Sequence, residues 1–201
     1  FSLSSLAQNV TSILFTQAQQ KNIDLKLEIS SDLKPAHIGD ELRIKQVLIN
    51  IVGNAIKFTD EGGVALIINT LQTHNEKQTV EIIIKDTGIG MSDAFVAKIF
   101  NKFSQEEELT NRRFEGTGLG MAISNDLVKM MGGELQVESK KNAGSTFKFI
   151  LELPIGDVSQ LVTKSVAITP DYFKGKSVLL AEDNEMNRYM ASVQLEYLGF
   201  K

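Results

Sequence analysis

An amphipathic segment over residues 41–58 constrains the fold more than any other part of the chain. At about 100° per residue, a helix here has one apolar side and one polar side. Asp40 supplies an N-cap, and a polar, glycine-containing run at 60–63 ends the helix. The apolar side consists of Ile44, Val47, Leu48, Ile51, Val52, Ala55 and Ile56. Such a side has to be buried against another layer of secondary structure.

The other layer is predicted from alternating and apolar runs typical of strands. These runs cover residues 23–29, 64–71, 80–84, 135–138 and 146–153, with 72–79 as a polar loop. Further helices are predicted over 3–20, 92–100 and 117–131. Helices packed on one face of a hairpin-rich, mixed sheet make a two-layer α/β sandwich of the α+β class over residues 1–153.

Composition excludes several classes of function. The 21 basic and 25 acidic residues give a net charge of −4, which argues against nucleic-acid binding. The absence of cysteine excludes disulfides, zinc–thiolate sites and thiol nucleophiles. No apolar run approaches the ~20 residues of a membrane span. His37 and His74 lie in predicted turns without a carboxylate partner, so we interpret both as surface residues.

The polar side of the 41–58 helix carries Asn50 and Asn54 one turn apart, followed by Lys57. Asparagine is a poor helix former, so two in mid-helix are unusual. Amide oxygens suit Mg²⁺, and a nearby lysine suits phosphate. A solvated polar face explains the same pattern, and periodicity alone leaves both interpretations open.

Two glycine-rich runs bring backbone close to a possible ligand. The run DTGIG at 86–90 ends a strand and is either a ligand site or a turn with a solvated aspartate. The run GTGLG at 116–120 opens a helix, whose free N–H groups suit an anion. The residues before it do not form a strand, which excludes a Rossmann motif. Gly175-Lys176-Ser177 is interpreted as linker, because Pro170 stands where a Walker motif needs glycine.

Residues 101–116 are polar and lack a periodic pattern. Arg112 and Arg113 are either a solvated pair or the cations of a mobile lid over a terminal phosphate. Phe100 and Phe103 are interpreted as packing at its hinge. Near the end of the chain, a short buried strand is predicted over 178–181 and a helix over 185–198. The strand ends in Glu182 and Asp183, a weak candidate for half of a Mg²⁺ site.

Taken together, these segments resemble the ATP-binding catalytic domain of a sensor histidine kinase, which has the Bergerat fold. Residues 40–60, DELRIKQVLINIVGNAIKFTD, resemble its N box, and the two glycine runs resemble its glycine boxes. Residues 99–103 resemble its F box, and 144–147 resemble a further strand signature. Residues 176–201 resemble the start of a response-regulator receiver domain. The resemblance therefore implies four parts: 1–20 as the link from an upstream dimerisation hairpin, 21–153 as the ATP-binding domain, 154–175 as a linker, and 176–201 as a truncated receiver.

The resemblance also implies roles for individual residues in a Mg-ATP site. Asp86 would accept a hydrogen bond from the adenine amino group, with Thr146 supporting it through water. Asn54 would coordinate Mg²⁺ between the phosphates, with Asn50 assisting. Lys57, Arg112 and Arg113 would approach the phosphates and, with Asn50, would be the catalytic residues. The other ATP-binding residues implied are Gly88, Gly90, Phe103, Gly116, Thr117, Gly118, Leu119 and Gly120.

The activity implied is ATP-dependent phosphorylation of a histidine on an upstream dimerisation domain, in a homodimeric hybrid kinase that relays phosphate to a receiver. Neither His37 nor His74 carries the acceptor motif, so we expect the acceptor hairpin before Phe1. Two alternatives stay open: an ATPase of the same superfamily, and a nucleotide-binding signalling scaffold. Asn50 argues against the ATPase, because those enzymes have a water-activating glutamate there. We expect a cytoplasmic domain; membrane anchoring of the parent stays open.

Overall fold

The computed structural model describes residues 1–105, 117–161, 173–182 and 185–200, and the chain divides into two compact units at Leu161 and Val162. The helices are α1 (Leu3–Gln20), α2 (Glu41–Phe58), α3 (Asp93–Val96), α4 (Gly120–Met130) and, in the second unit, α5 (Glu185–Tyr197). The strands are β1 (Asp24–Ile29), β2 (Gly63–His74), β3 (Lys77–Asp86), β4 (Leu135–Ser139) and β5 (Ser145–Pro154).

The strands form one mixed sheet in the order β1-β2-β3-β5-β4. β1 and β2 are parallel, and the remaining pairs are antiparallel. Alternate residues of β2, β3 and β5 are buried, which places one face of the sheet against the helices. This arrangement confirms the predicted two-layer sandwich with helices on one face.

The core lies between this face and the helices α1 and α2. All the apolar residues predicted on the inner side of α2 are buried. Burial of each large aliphatic side chain among them stabilises the fold by about 1.5–3 kcal/mol. Leu3, Leu6 and Val10 of α1 belong to the same hydrophobic cluster. The helix over residues 3–20 is therefore part of the helical layer of the first unit.

The loop predicted over 72–79 is wrong. β2 and β3 continue through these polar residues and pair to the end, with His74 opposite Lys77. The turn is confined to Asn75 and Glu76, which have φ values of 46° and 60°. Two consecutive residues with positive φ make the tight turn that matches strand twist. Sequence reasoning failed here because it ended the strands where their apolar residues ended.

The second unit has its predicted helix, as α5, but not its predicted strand. In its described residues, 173–182 and 185–200, the structure has the helix α5 and no strand. The predicted buried strand over 178–181 is therefore wrong, and Leu179 is 94% exposed. A short apolar run becomes a strand only when a neighbouring strand satisfies its backbone.

His37 is also placed differently from its prediction. It is buried, with 1% of its surface exposed, and its Nε2 lies 3.0 Å from Gln78 Oε1. Burial lowers its pKa, and the hydrogen bond that His37 Nε2 donates to Gln78 Oε1 opposes that shift. His74 is exposed at the end of β2, as predicted. Across the described residues, the helices are too short or too polar to cross a membrane.

Candidate nucleotide site

A cavity of about 300 Å³ lies between α2, the carboxyl end of β3 and the start of α4. Eight of the predicted site residues line it: Asn50, Asn54, Lys57, Asp86, Gly90, Thr117, Gly118 and Gly120. These residues come from segments far apart in sequence. The fold therefore brings the N box and both glycine runs to one site.

Asp86 lines the cavity. Its side chain is buried, and Oδ1 accepts hydrogen bonds from the backbone N–H of Gly88 at 2.9 Å and of Ser145 at 3.1 Å. Burial raises the pKa of this carboxyl, and the hydrogen bonds from Gly88 and Ser145 partly offset the rise. In the described part of the chain, Oδ2 accepts no backbone hydrogen bond. The arrangement suits a ligand that presents an N–H donor.

The walls beside Asp86 are apolar. They consist of Ile89, Met91, Phe95, Ile99 and Phe147. Sequence reasoning missed these residues as site residues, because apolar side chains beside a cavity have the same pattern as core side chains. Their presence beside a buried acceptor suits a flat ring that carries an amino group.

The two glycines after Asp86 act through close backbone packing. A Cβ on Gly88 would overlap the carbonyl of Phe58, and the next residue, Ile89, donates its N–H to that carbonyl at 3.2 Å. Gly90 has a φ of 60° and packs on the carbonyl of Lys140. Gly90 lines the cavity, whereas Gly88 does not. Gly88 thus packs the strand end that carries Asp86 against the end of α2, and Gly90 packs it against the turn between β4 and β5.

The polar side of α2 also lines the cavity. Asn50 Nδ2 donates to Ser124 Oγ at 2.8 Å, and Asn54 Nδ2 lies 3.6 Å from Met121 Sδ. The Lys57 ammonium lies 5.2 Å from the centre of the Phe58 ring. The predicted polar side is therefore part of a cavity rather than a purely solvated face.

Lys21 fixes the end of α2 from outside the cavity. Its Nζ donates to the carbonyls of Ile56, Lys57 and Thr59 at 3.0, 2.8 and 2.6 Å, and lies 3.3 Å from Asp60 Oδ1. The last carbonyls of a helix lack partners within it, and a cation there also interacts favourably with the negative end of the helix dipole. No pattern in the sequence indicated this contact, because Lys21 and Lys57 lie 36 residues apart.

The start of α4 contributes backbone to the site. Thr117, Gly118 and Gly120 line the cavity, and Gly118 has a φ of 66°. That conformation lies just before the helix, which begins at Gly120 rather than at Thr117. Leu119 is the N-cap residue and does not line the cavity. Free N–H groups in a helix's first turn suit phosphate.

Phe103 neither lines the cavity nor packs at a hinge. It is 72% exposed and has a φ of 62°, and its N–H donates to the Gly118 carbonyl at 3.0 Å. The interpretation of its side chain as hinge packing is wrong. Its backbone instead connects the end of the F box to the second glycine run.

Ser145 stands where Thr146 was expected. The strand pairing places Thr146 opposite Lys85, with its side chain on the other face from Ser145 and Phe147. Successive side chains of a strand point to opposite faces. Ser145 lines the cavity and donates its N–H to Asp86, whereas Thr146 does not line it. The predicted support for Asp86 is therefore off by one residue.

Several predicted residues lie outside the described part of the chain. They include Arg112, Arg113, Gly116 and Asp183, together with most of the predicted lid over 101–116. Glu182 is described, and its backbone carbonyl accepts a hydrogen bond from Arg188 at 3.1 Å. Across the described ranges, no three histidine or acidic side chains come together as a metal cluster.

Residues 39–155 match the family described as Histidine kinase-, DNA gyrase B-, and HSP90-like ATPase. The chain belongs to this family. It is 39% identical over 155 residues to the signal transduction histidine-protein kinase BarA of Escherichia coli K12. The match covers 77% of this chain and 17% of that protein. It is 40% identical over its whole length to the sensor protein GacS of Pseudomonas syringae pv. syringae, of which it spans 22%.

Two solved structures of this family share the fold. Full-length ShkA in complex with AMPPNP matches all of this chain and 39% of that one, with a TM-score of 0.67 and 28% identity. The catalytic domain of the histidine kinase ThkA matches 77% of this chain and 93% of its own, with a TM-score of 0.57 and 30% identity. The resemblance drawn from the sequence boxes is thus confirmed, and the chain spans about a fifth of the curated relatives named above.

Proposed function

We propose that this chain binds Mg-ATP and donates the γ-phosphoryl group to a histidine on an upstream dimerisation domain, in a two-component phosphorelay. One observation carries the proposal. A single cavity is lined by the acceptor Asp86, by apolar side chains and by Asn50, Asn54 and Lys57. An adenine ring suits the acceptor and the apolar side chains, and a chain of phosphates suits the amides and the lysine.

The donor set fits Mg²⁺ bound together with phosphates. Asn50 and Asn54 offer amide oxygens, which are hard ligands, and the described residues hold no acidic cluster that would bind the ion alone. Mg²⁺ at such a site would take its other ligands from phosphate oxygens and water. When bound, it would neutralise charge that develops on the transferred group.

The chain's own residues contribute chiefly positioning and charge. Asp86 holds the base by accepting a hydrogen bond from its amino group. The position of the base then fixes where the phosphates lie. Lys57 adds a positive charge on the phosphate side, and the first turn of α4 adds backbone N–H donors. The side chains beside Asp86 are apolar, and a hydrogen bond to the base in such low-dielectric surroundings is stronger than it would be in solvent.

Transfer to a histidine is favoured over hydrolysis. Asn50 occupies the position from which a carboxylate would activate water, and its amide cannot take up a proton. Its Nδ2 is hydrogen-bonded to Ser124. We therefore assign ATP hydrolysis a minor role at most.

The acceptor is proposed to lie on another domain. His37 is buried and hydrogen-bonded to Gln78, away from the cavity lining. His74 lies in the exposed turn region of β2. We also propose that residues 176–201 begin a receiver that accepts the phosphoryl group next, which would place the domain in a hybrid kinase, active as a homodimer.

The test is incorporation of label from γ-labelled ATP, with and without an added dimerisation hairpin from a related kinase. We expect the chain to bind ATP but not to label itself, and to label the hairpin weakly, because the covalent tether is missing. Stoichiometric labelling of His37 or His74 would contradict the placement of the acceptor. Rapid release of free phosphate would favour the ATPase alternative.

A further inference from the structure

The side-chain amides of Asn50 and Asn54 both face α4. Asn50 Nδ2 lies 2.8 Å from Ser124 Oγ and 3.8 Å from Met121 Sδ. Asn54 Nδ2 lies 3.6 Å from the same sulfur. A thioether sulfur can accept but not donate, so it selects the NH₂ end of each amide. The oxygen end of each amide is therefore turned away from this sulfur.

Gly120 leaves room for one of these oxygens. A Cβ on Gly120 would overlap Asn50 Oδ1, so the oxygen occupies space that any other residue would fill. Gly120 lines the cavity, as does Asn50. The oxygen of Asn50 thus lies beside the start of α4, where the proposed phosphates would be.

Ser124 holds this arrangement from behind. It lies one turn after Gly120 on α4, is 1% exposed and does not line the cavity. Its hydroxyl is the shortest contact of the Asn50 amide, and at such burial no solvent competes for it. An amide without this contact could rotate and present its NH₂ group, which is not a ligand for Mg²⁺.

We propose that Ser124 is a positioning residue for Mg-nucleotide binding, acting through the orientation of Asn50. The proposal rests on the proposed function, since it concerns the Mg²⁺-dependent part of nucleotide binding. It makes Ser124 distinct from a residue that merely packs α4 against α2. Loss of its hydroxyl would affect the Asn50 amide and leave the hydrogen bonds of Asp86 with Gly88 and Ser145 unchanged.

The test is calorimetric binding of the β,γ-imido analogue of ATP, once with Mg²⁺ and once with a chelator. We expect Ser124→Ala to weaken binding about 3- to 10-fold with Mg²⁺ and less than about 2-fold without it, the range of one lost hydrogen bond. Ser124→Thr, which keeps the hydroxyl, should restore the Mg²⁺-dependent affinity. Ser12→Ala removes a serine hydrogen bond on the exposed side of α1 and serves as the control.

A double-mutant cycle separates positioning from packing. In an Asn50→Ala background, Ser124→Ala should have no further effect on binding. Wild-type affinity in Ser124→Ala, or an equal loss with and without Mg²⁺, would overturn the assignment. If Ser124→Ala does not fold, the pair Ser124→Thr and Ser124→Val, equal in shape, decides in the same way. Failure of the wild-type chain to bind the analogue with Mg²⁺ would overturn the proposed function itself.

Discussion

The inner face of β3 carries a buried polar side chain near each end, and the two ends differ in what satisfies them. Gln78 lies near the start of the strand, and Asp86 is its last residue. Between them the inward-facing positions are aliphatic: Val80, Ile82 and Ile84. The same strand therefore presents two polar groups to the interior in very different surroundings.

At the Gln78 end, the chain satisfies the amide completely. Oε1 accepts from Lys34 N–H at 2.9 Å and lies 3.0 Å from His37 Nε2. The Nε2 of Gln78 donates to the Asp32 carbonyl at 2.9 Å and to Thr73 Oγ1 at 3.0 Å. A group with all its hydrogen bonds made by its own chain has none to offer a ligand. This end therefore ties the loop after β1 to the sheet.

At the Asp86 end, the carboxylate borders a cavity. Its backbone hydrogen bonds converge on Oδ1, and burial raises its pKa. A buried polar group thus stabilises the fold when its partners are complete, and it becomes a binding group when one side faces a cavity. Substitutions at the two ends should therefore separate stability from binding.

The largest effect is expected from Gln78→Met. This change leaves Lys34 N–H, His37 and the Asp32 carbonyl without their partner, so the free energy of unfolding should fall by about 3 kcal/mol. Urea unfolding measures it, with Gln72→Met on the exposed part of β2 as the control. Nucleotide affinity at a temperature where the variant is folded should be unchanged. A loss of affinity with normal stability would break the comparison.

Asp86→Asn should have the opposite profile. The amide oxygen still accepts from Gly88 and Ser145, and removal of a buried charge leaves stability equal or higher. ATP binding should weaken by about 1.5–3 kcal/mol, because a charge-assisted hydrogen bond to the base is lost. Calorimetry measures this, with Asp24→Asn in the exposed pair with Lys26 as the control. Unchanged ATP affinity would disprove the role of Asp86.

Ser145 and Thr146 provide a finer test of the Asp86 end. Ser145→Ala removes the hydroxyl beside Asp86, and we expect ATP affinity to fall by about 1 kcal/mol. Thr146→Ala changes the opposite face of the sheet and should leave affinity as it is. The comparison of these neighbours by the same calorimetric titration would show a larger effect at Thr146 if the strand register were wrong.

The smallest effect is a difference in pH dependence, with opposite signs at the two ends. Burial lowers the pKa of His37, so as pH falls through about 6.5 the unfolded chain binds the proton first and stability is lost. Burial raises the pKa of Asp86, so its contribution is present at low pH and is lost as pH rises through that raised pKa. The test is the free energy of unfolding of wild type and of each variant from pH 4 to 8. The stability of wild type relative to His37→Gln should rise with pH, and its stability relative to Asp86→Asn should fall with pH. A difference of the same sign for both would contradict the burial argument.

Most of the elements, and the boxes, follow from local sequence patterns, whereas the loop over 72–79 and the strand over 178–181 did not form as predicted. Residues 41–58 have a helical period and a capping aspartate, and the helix forms over Glu41–Phe58 with Asp40 accepting from Arg43 N–H at 3.0 Å. The side facing the core is a property of spacing, which local geometry fixes. The positions of Asp86 and the α2 asparagines were likewise predictable, because each belongs to a recognisable local pattern.

The tertiary structure decided which of these residues satisfy one another. The register of β5 on β3 places Ser145, rather than Thr146, beside Asp86. Lys21 caps α2 from the end of another helix, and Ser124 meets Asn50 across 74 residues of sequence. His37 is buried because Gln78 comes to it from β3. Such contacts depend on the packing of elements distant in sequence, and local periodicity contains no information about that packing.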